Sequence, residues 1–460
     1  MNGTRALRAR ADARRRSPTL REPPGMTFAA THPAAASAPR GELFDSPVHA
    51  FLLAALLYLA GQAGGALEVW RTGAFIDTDD AMRLSLLRDF MAGKSWTDYS
   101  APRLGGAEGF RTHWSHVIDL PLIALIKLGT LVADMATAER VARLVYPFAT
   151  YLATVAALLA AARLMAGVSG IVAFALVAHA SGLAHQFAAG RIDHHGAQIL
   201  LLSAMTLAIL RSLAPREAGW GALAGLAAAL SFAISVENLP FIAVAGAIYA
   251  VLAAAAPERA RAAGWFGAAL ALGTALGWAI FADREAGPVC DAISTFHVAL
   301  AALGGGGLAA LAALAPRLSA GLRWAGLAAL ALAALALARL AFPACLGDPL
   351  AQVPPLMRQF WLSEVGEARP LTTLFAKSPL LALSAAFAIL VGLAAALVGA
   401  VSDRLDPPGV DAPTQRLRWR ALAALIAVGF AATLWQVRAG TSAGPLALIG
   451  VAALIAAAAR

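Results

Sequence analysis

Three short stretches, far apart in the chain, carry residue types able to do chemistry. The first is Asp77-Thr78-Asp79-Asp80. A single Asp is enough to cap a helix and complement its dipole. Three carboxylates within four residues exceed that need and suit a cation site or a general base. The second stretch is Gly190-Arg191-Ile192-Asp193-His194-His195. Asp193 and His195 alternate, so in a non-helical turn both face one cavity. Carboxylate oxygen with imidazole nitrogen suits Mn²⁺, Mg²⁺ or Zn²⁺, and the plainer reading is a polar cap on the following helix. The third is Trp361-Leu362-Ser363-Glu364-Val365-Gly366-Glu367-Ala368-Arg369-Pro370, in which Glu364 or Glu367 says little by itself. Glu237, in Ser235-Val236-Glu237-Asn238, reads as a structural residue at a tight helix turn. His113 and His116 flank Trp114, whose anchoring at a membrane interface explains the pattern as well as metal binding does.

The elements that must position these residues follow from composition. Hydrophobic residues fill 60% of 460 positions and charged residues 14%, against roughly 45–50% and about 25% in an ordinary globular domain. The excess falls in blocks of about 17–22 residues, the helix length needed to cross a bilayer core. Ala, Leu and Gly dominate, which favours helices over the alternating strands of a barrel. Spans are expected at 48–69, 144–165, 168–188, 196–213, 219–236, 239–255, 264–282, 294–315, 322–342, 379–401, 420–436 and 444–459. The stretch 117–133 is apolar too, but Asp119, Pro121 and Lys127 interrupt it. After Asp80, the apolar Leu84, Leu87 and Met91 recur at helical spacing and predict an amphipathic helix. The fold class is an all-α polytopic membrane protein of about twelve transmembrane helices.

Charge sets the expected topology. The net charge of +9 lies mainly in the N-terminal tail and short loops, a distribution that argues against nucleic-acid binding. With the basic N-terminus in the cytoplasm and 117–133 not crossing, the inner loops hold Arg211, Arg216, Arg259, Arg261, Arg317 and Arg416, among others. The outer loops hold fewer, as the positive-inside rule requires. Both termini are then cytoplasmic, and the long segments 70–143 and 343–378 and the turn 189–195 share the non-cytoplasmic face. Cys290 and Cys345 fall there as well, where a disulfide between them is permitted. Residues 1–45 read as a disordered basic tail, an organellar transit peptide, or the product of start-site choice with Met26 as the true start. Residues 46–460 read as the membrane domain, placed in the inner (plasma) membrane of a bacterium.

Together these motifs resemble the C-type membrane glycosyltransferase superfamily, most closely the catalytic subunit of oligosaccharyltransferases. Asp79 or Asp80, with Arg88-Asp89 downstream, resembles the family's first outer-loop Asp and the amphipathic helix after it. Gly190 to His195 looks like its Gly-x-x-Asp-x-Asp/His element after the third span. Val365-Gly366-Glu367 is similar to its late Thr-Ile-x-Glu motif in placement and in the Glu, and departs at the first position. The resemblance covers about residues 48–400.

It implies a divalent cation, Mg²⁺ or Mn²⁺, held by Asp79, Asp80, Asp193 and His195, with Glu367 completing or supporting the site. It also implies a polyprenyl-phosphate-linked sugar as donor, entering from the membrane lipid. Asp79 or Asp80 would act as general base, and Arg358 or Arg369 would pair with phosphate. The family's C-terminal soluble domain with a Trp-Trp-Asp-Tyr-Gly motif has no counterpart before Arg460, so the expected acceptor is a lipid, a glycan or another group in place of a peptide. The rival reading is an ion-coupled transporter, in which intramembrane Asp and His relay protons or hold a coupling ion. A noncatalytic assembly subunit is a third. Oligomeric state is not legible in the sequence.

Overall fold

A computed structural model describes residues 46–103, 110–283, 285, 287–347 and 353–460. The tail expected over 1–45 lies outside the described residues. The helices are α1 (Pro47–Thr72), α2 (Thr78–Met91), α3 (Asp119–Gly129), α4 (Met135–Ala166), α5 (Val168–Ala180), α6 (His195–Ser212), α7 (Trp220–Ile234), α8 (Leu239–Ala255), α9 (Ala260–Phe281), α10 (Thr295–Leu314), α11 (Ala320–Ala341), α12 (Pro355–Phe360), α13 (Leu371–Lys377), α14 (Pro379–Val401), α15 (Ala412–Thr433) and α16 (Ala439–Ala458). Two residue pairs, Ser100–Arg111 and Ala101–Phe110, form a short antiparallel ribbon.

Every stretch expected to span is helical, though 168–188 is divided. Gly182, in the left-handed region at φ 72°, ends α5 and starts a 3₁₀ turn over Leu183–Phe187. By length and composition α1, α4, α9, α10, α11, α14 and α16 can each cross a membrane, and α5, α7 and α8 are apolar but shorter. Large apolar side chains such as Leu332 and Leu335 on α11 and Phe387 on α14 point outward, exposed. In water they would form a large aggregating surface. The chain is an all-helical integral membrane protein. By contrast α3 has 11 residues and is about 17 Å long at 1.5 Å per residue, too short to cross.

Small residues let the spans pack backbone to backbone, since no hydrophobic force drives helices together within lipid. A Cβ on Gly267 of α9 would lie 2.3 Å from the carbonyl of Gly305 on α10, and one on Gly305 would lie 2.6 Å from the carbonyl of Gly267. Alternating helix direction then sorts the connections to two ends of the bundle. One end gathers 181–194, 235–238, 434–438 and the described parts of 73–134, 282–294 and 342–378. Trp96 Nε1 donates to the carbonyl of Ile280 at 2.8 Å and Arg111 pairs with Asp283 at 2.6 Å, so the first long segment docks on the end of α9. At this same end Cys290 and Cys345 are joined in a disulfide, their Cα atoms 5.2 Å apart, as the sequence permits.

Candidate functional site

The site is built where five of these connections meet. Asp77 caps α2, its carboxylate accepting from the amide of Asp79 at 3.3 Å, so the capping role is filled and Asp79 and Asp80 are free for other work. The buried stripe of α2 includes Asp80, Arg83, Leu84 and Leu87. Arg83, almost fully buried, pairs with Asp119 at 3.2 Å and donates to the carbonyl of Ser115 at 3.1 Å, which ties α2 to α3. His116 completes that cluster on the other oxygen of Asp119 at 2.6 Å, a structural role in place of the metal role weighed for it.

The turn 189–194 comes to α2 because its backbone is strapped down. The amide of Ala189 donates to Gln62 Oε1 at 3.0 Å, and that of Gly190 to the carbonyl of Arg143 at 3.0 Å. Gly190 sits at φ 102°, and a Cβ there would meet Val69 Cγ2 at 2.8 Å, so both conformation and space require glycine. Asp80 Oδ1 then accepts from the amides of Ile192 at 2.7 Å and Asp193 at 3.2 Å. Asp193 pairs with Arg191 through Oδ2, and its Oδ1 accepts from the amide of His195 at 3.0 Å. Its polar-cap role and its place in the cluster therefore coexist.

Glu237 is the residue that sequence reading assigned only to the turn. The turn between α7 and α8 is held by a buried amide network. Asn238 Nδ2 donates to Gln198 Oε1 at 2.6 Å, and Gln198 Nε2 donates to the carbonyls of Ser231 and Ser235, both at 3.1 Å. Glu237 is thereby aimed at the start of α6, with Oε1 3.2 Å from His194 Nε2 and Oε2 3.2 Å from His195 Nδ1. Among the described residues, His194, His195 and Glu237 form a group whose ligand atoms lie within 4.8 Å of one another. The signal available in the sequence was Gln198 and Asn238, two amides within otherwise apolar stretches.

Arg438 brings in the last outer segment. Its Nη1 lies 3.7 Å from Glu237 Oε1 and 3.9 Å from Glu367 Oε1. The amides of Val437 and Arg438 donate to the carbonyls of Arg369 at 2.8 Å and Glu367 at 3.1 Å, pinning that loop beside the cluster. Glu367 therefore meets the site through Arg438. Arg369 is engaged within its own loop, at the carbonyl of Ser363 (2.8 Å) and at Glu364 (3.3 Å). Arg358 Nε donates to the carbonyl of Val353. The arginines in contact with the cluster are Arg191 and Arg438.

Electrostatics reflect this crowding. Burial, with the charge of Asp77 adding to it, raises the carboxyl of Asp79 above its usual range. Burial pushes Asp80 up to about 6 despite the amide of Ile192. Asp193 behaves oppositely: burial works against its charge, yet His195 and Arg191 outweigh it and hold the carboxyl below its ordinary value. Glu237 is held well below its ordinary value by His194 and His195, again against burial. Asp80 Oδ2 and His194 Nδ1 are buried with no hydrogen-bond partner. Six carboxylates, from Asp77, Asp79, Asp80, Asp193, Glu237 and Glu367, thus face the guanidiniums of Arg191 and Arg438 and the imidazoles of His194 and His195, an excess of acid that favours a cation.

No family model and no curated protein matches the sequence. Solved structures do match in fold. The chain aligns with the Archaeoglobus fulgidus oligosaccharyltransferase in its apo form with a TM-score of 0.69 at 15% identity, covering 90% of this chain and 50% of that one. The archaeal oligosaccharyltransferase AglB of the same organism, in complex with an inhibitory peptide and a dolichol-phosphate, gives 0.66 at 15% identity, covering 88% and 50%. A complex of the A. fulgidus enzyme with Zn and sulfate gives 0.57 at 14% identity, covering 88% and 48%. The chain thus has the fold of an archaeal oligosaccharyltransferase and spans about half the length of the chains it matches.

Proposed function

We propose that this protein is an integral membrane glycosyltransferase that moves a sugar from a polyprenyl-phosphate-linked donor to an acceptor on the non-cytoplasmic face. The observation that carries the reading is the meeting of Asp80, Asp193 and the His195–Glu237–Arg438–Glu367 chain, drawn from five connections far apart in sequence. The shared fold supports it, and the solved AglB complex with dolichol-phosphate makes a lipid phosphate a natural donor class. Twelve spans with both termini cytoplasmic fit the arginine-rich opposite end. The disulfide at the site end fits an oxidising compartment. The transporter alternative draws less support, because these ionisable groups sit in turns at helix ends and not at mid-helix breaks.

In the transfer, the bond from the sugar's anomeric carbon to the phosphate oxygen breaks and a bond to the acceptor heteroatom forms. The acceptor's proton passes to Asp79, which is half-buried and raised toward a useful base range. Asp80 anchors the turn that presents Asp193, and the polyprenyl phosphate leaves with its negative charge. Arg438 and Arg191 are positioned to meet that charge, ahead of Arg358 and Arg369. Among the described residues, the donor group whose spacing fits a divalent ion includes His195, one of the ligands the resemblance implies, while Asp80 and Asp193 hold the turn beside it. Bound, such an ion supplies Lewis-acid stabilisation of the leaving phosphate.

The test is to incubate the purified full chain with polyprenyl-phosphate-linked hexose, divalent cation and membrane extract, following the fate of the hexose by mass spectrometry. Appearance of hexose on a lipid, glycan or other acceptor supports the reading and names the acceptor class. Donor recovered intact across hexoses and cations overturns it.

A further inference from the structure

We propose that the cation in this site is held by His194, His195 and Glu237, a two-nitrogen, one-oxygen set selective for a zinc-like transition metal over Mg²⁺. The proposal rests on the transferase reading for the ion's use, but not for its presence. Of the ligands implied by the sequence, His195 is kept and Glu237 and His194 are new.

Two of the carboxylates are already engaged. Asp80 Oδ1 accepts two backbone amides, and Asp193 spends one oxygen on Arg191 and the other on the amide of His195. Those bonds hold the turn 189–194 in place, so recruiting Asp193 as a principal ligand means dismantling the turn that presents it. Glu237 has no such backbone duty, and both its oxygens face imidazole nitrogens at 3.2 Å. That is about the edge length between ligands of a four-coordinate ion with bonds near 2.0–2.1 Å. The widest ligand separation in the group, 4.8 Å at most, needs closure of about an ångström.

A second observation points the same way. His194 Nδ1 is buried with no partner, which leaves its ring free to turn toward an ion. The rings of His194 and His195 already lie 4.4 Å apart between centroids. The amide network of Gln198, Ser231 and Asn238 fixes the turn that carries Glu237, and Arg438 Nη1 stands 3.7 Å from its Oε1. The ion's chemical class follows from the ligands. Magnesium takes oxygen in octahedral array and keeps its waters. Two imidazoles with one carboxylate suit zinc and its neighbours and leave a coordination position open.

The experiment uses the full chain in detergent or nanodiscs and reads Zn²⁺ and Mg²⁺ binding by equilibrium dialysis with elemental analysis, together with the visible spectrum of added Co²⁺. The expected result is one Zn²⁺ per chain, not displaced by tenfold excess Mg²⁺, and an intense four-coordinate Co²⁺ band. Glu237→Gln should lower zinc affinity at least tenfold with an unchanged elution profile, and Asp80→Asn should change it less than threefold. His194→Ala, which leaves the carboxylates intact, should also weaken zinc at least tenfold, so the inference stays testable if Glu237→Gln fails to fold. It is overturned if Asp80→Asn abolishes binding while Glu237→Gln does not, if Mg²⁺ displaces Zn²⁺, or if the chain binds neither ion. Zinc bound through Glu237 without any sugar transfer would retire the transferase reading alone. Transfer with Mg²⁺ in Glu237→Gln would retire this inference alone.

Discussion

The two ends of the helical bundle use charge in opposite ways. At the end holding the termini of α4, α6, α8 and α15, arginines reach the carbonyls that helices and turns leave exposed. Arg418 donates to the carbonyl of Leu210 at 2.9 Å, Arg323 to those of Ala254 at 2.8 Å and Leu318 at 2.7 Å, and Arg460 to that of Leu405 at 3.1 Å. A cation is stabilised at a helix C-terminus by the macrodipole and by unsatisfied carbonyls, so structure explains these residues fully. At the other end, capping needs only Asp77. Asp79, Asp80, Asp193, Glu237 and Glu367 crowd together beyond any such need, and among the described residues they outnumber Arg191, Arg438, His194 and His195 that meet them. Matched charge marks architecture, and unmatched charge marks the place where a ligand is expected.

The sharpest way to break this contrast is to neutralise the site end. Asp193→Asn should reduce sugar transfer by about two to three orders of magnitude, as loss of a charged group aimed at the reacting centre does. Loss of the Arg191 ion pair should lower its melting temperature as well, so turnover is read per folded molecule and melting measured beside it.

Arg83 sits on the same helix as Asp80, in a balanced cluster, and should behave as architecture does. Arg83→Met leaves Asp119 buried without its cation and should destabilise the fold by about 3–5 kcal/mol. Arg83→Met with Asp119→Leu should recover much of that in a double-mutant cycle read by melting.

Gly190→Ala is smaller and mixed. A strained backbone of roughly 1–3 kcal/mol should lower both melting temperature and turnover, because the turn that carries Asp193 shifts with it. Smallest is Arg323→Ala at the matched end, expected to cost about 1–2 kcal/mol for lost carbonyl contacts and to leave turnover per folded molecule unchanged.

Much of this was legible before any coordinates. The apolar blocks read well as helices, whose ends fell near those expected, and seven of them are long and apolar enough to cross a bilayer. The exceptions are instructive. Helix α15 begins at Ala412 although its apolar run begins near 420, because Asp411 caps it and Arg418 in its charged first turns donates to the carbonyl of Leu210 on α6. The stretch 168–188 breaks at Gly182, whose left-handed conformation the hydropathy pattern does not register.

In the site, Asp80 and Asp193 were visible as local excess of charge, and they meet through hydrogen bonds. Glu237 was not, since one Glu at a helix turn is ordinary in sequence and gains meaning only from His194 and His195 across the turn. Arg438 was hidden similarly: its reach to Glu237 and Glu367 depends on how the α15–α16 turn docks against the last outer loop.

The proposed function requires that five distant connections make one catalytic pocket. The direct test is single-turnover release of polyprenyl phosphate from a lipid-linked sugar by the purified chain and by Asp80→Asn, Asp193→Asn and Glu367→Gln. Release by the unaltered chain is expected, falling at least tenfold in each variant while all three still elute as folded protein. Release at the unaltered rate in all three variants would contradict it, as would no release by the unaltered chain with any donor or cation tried.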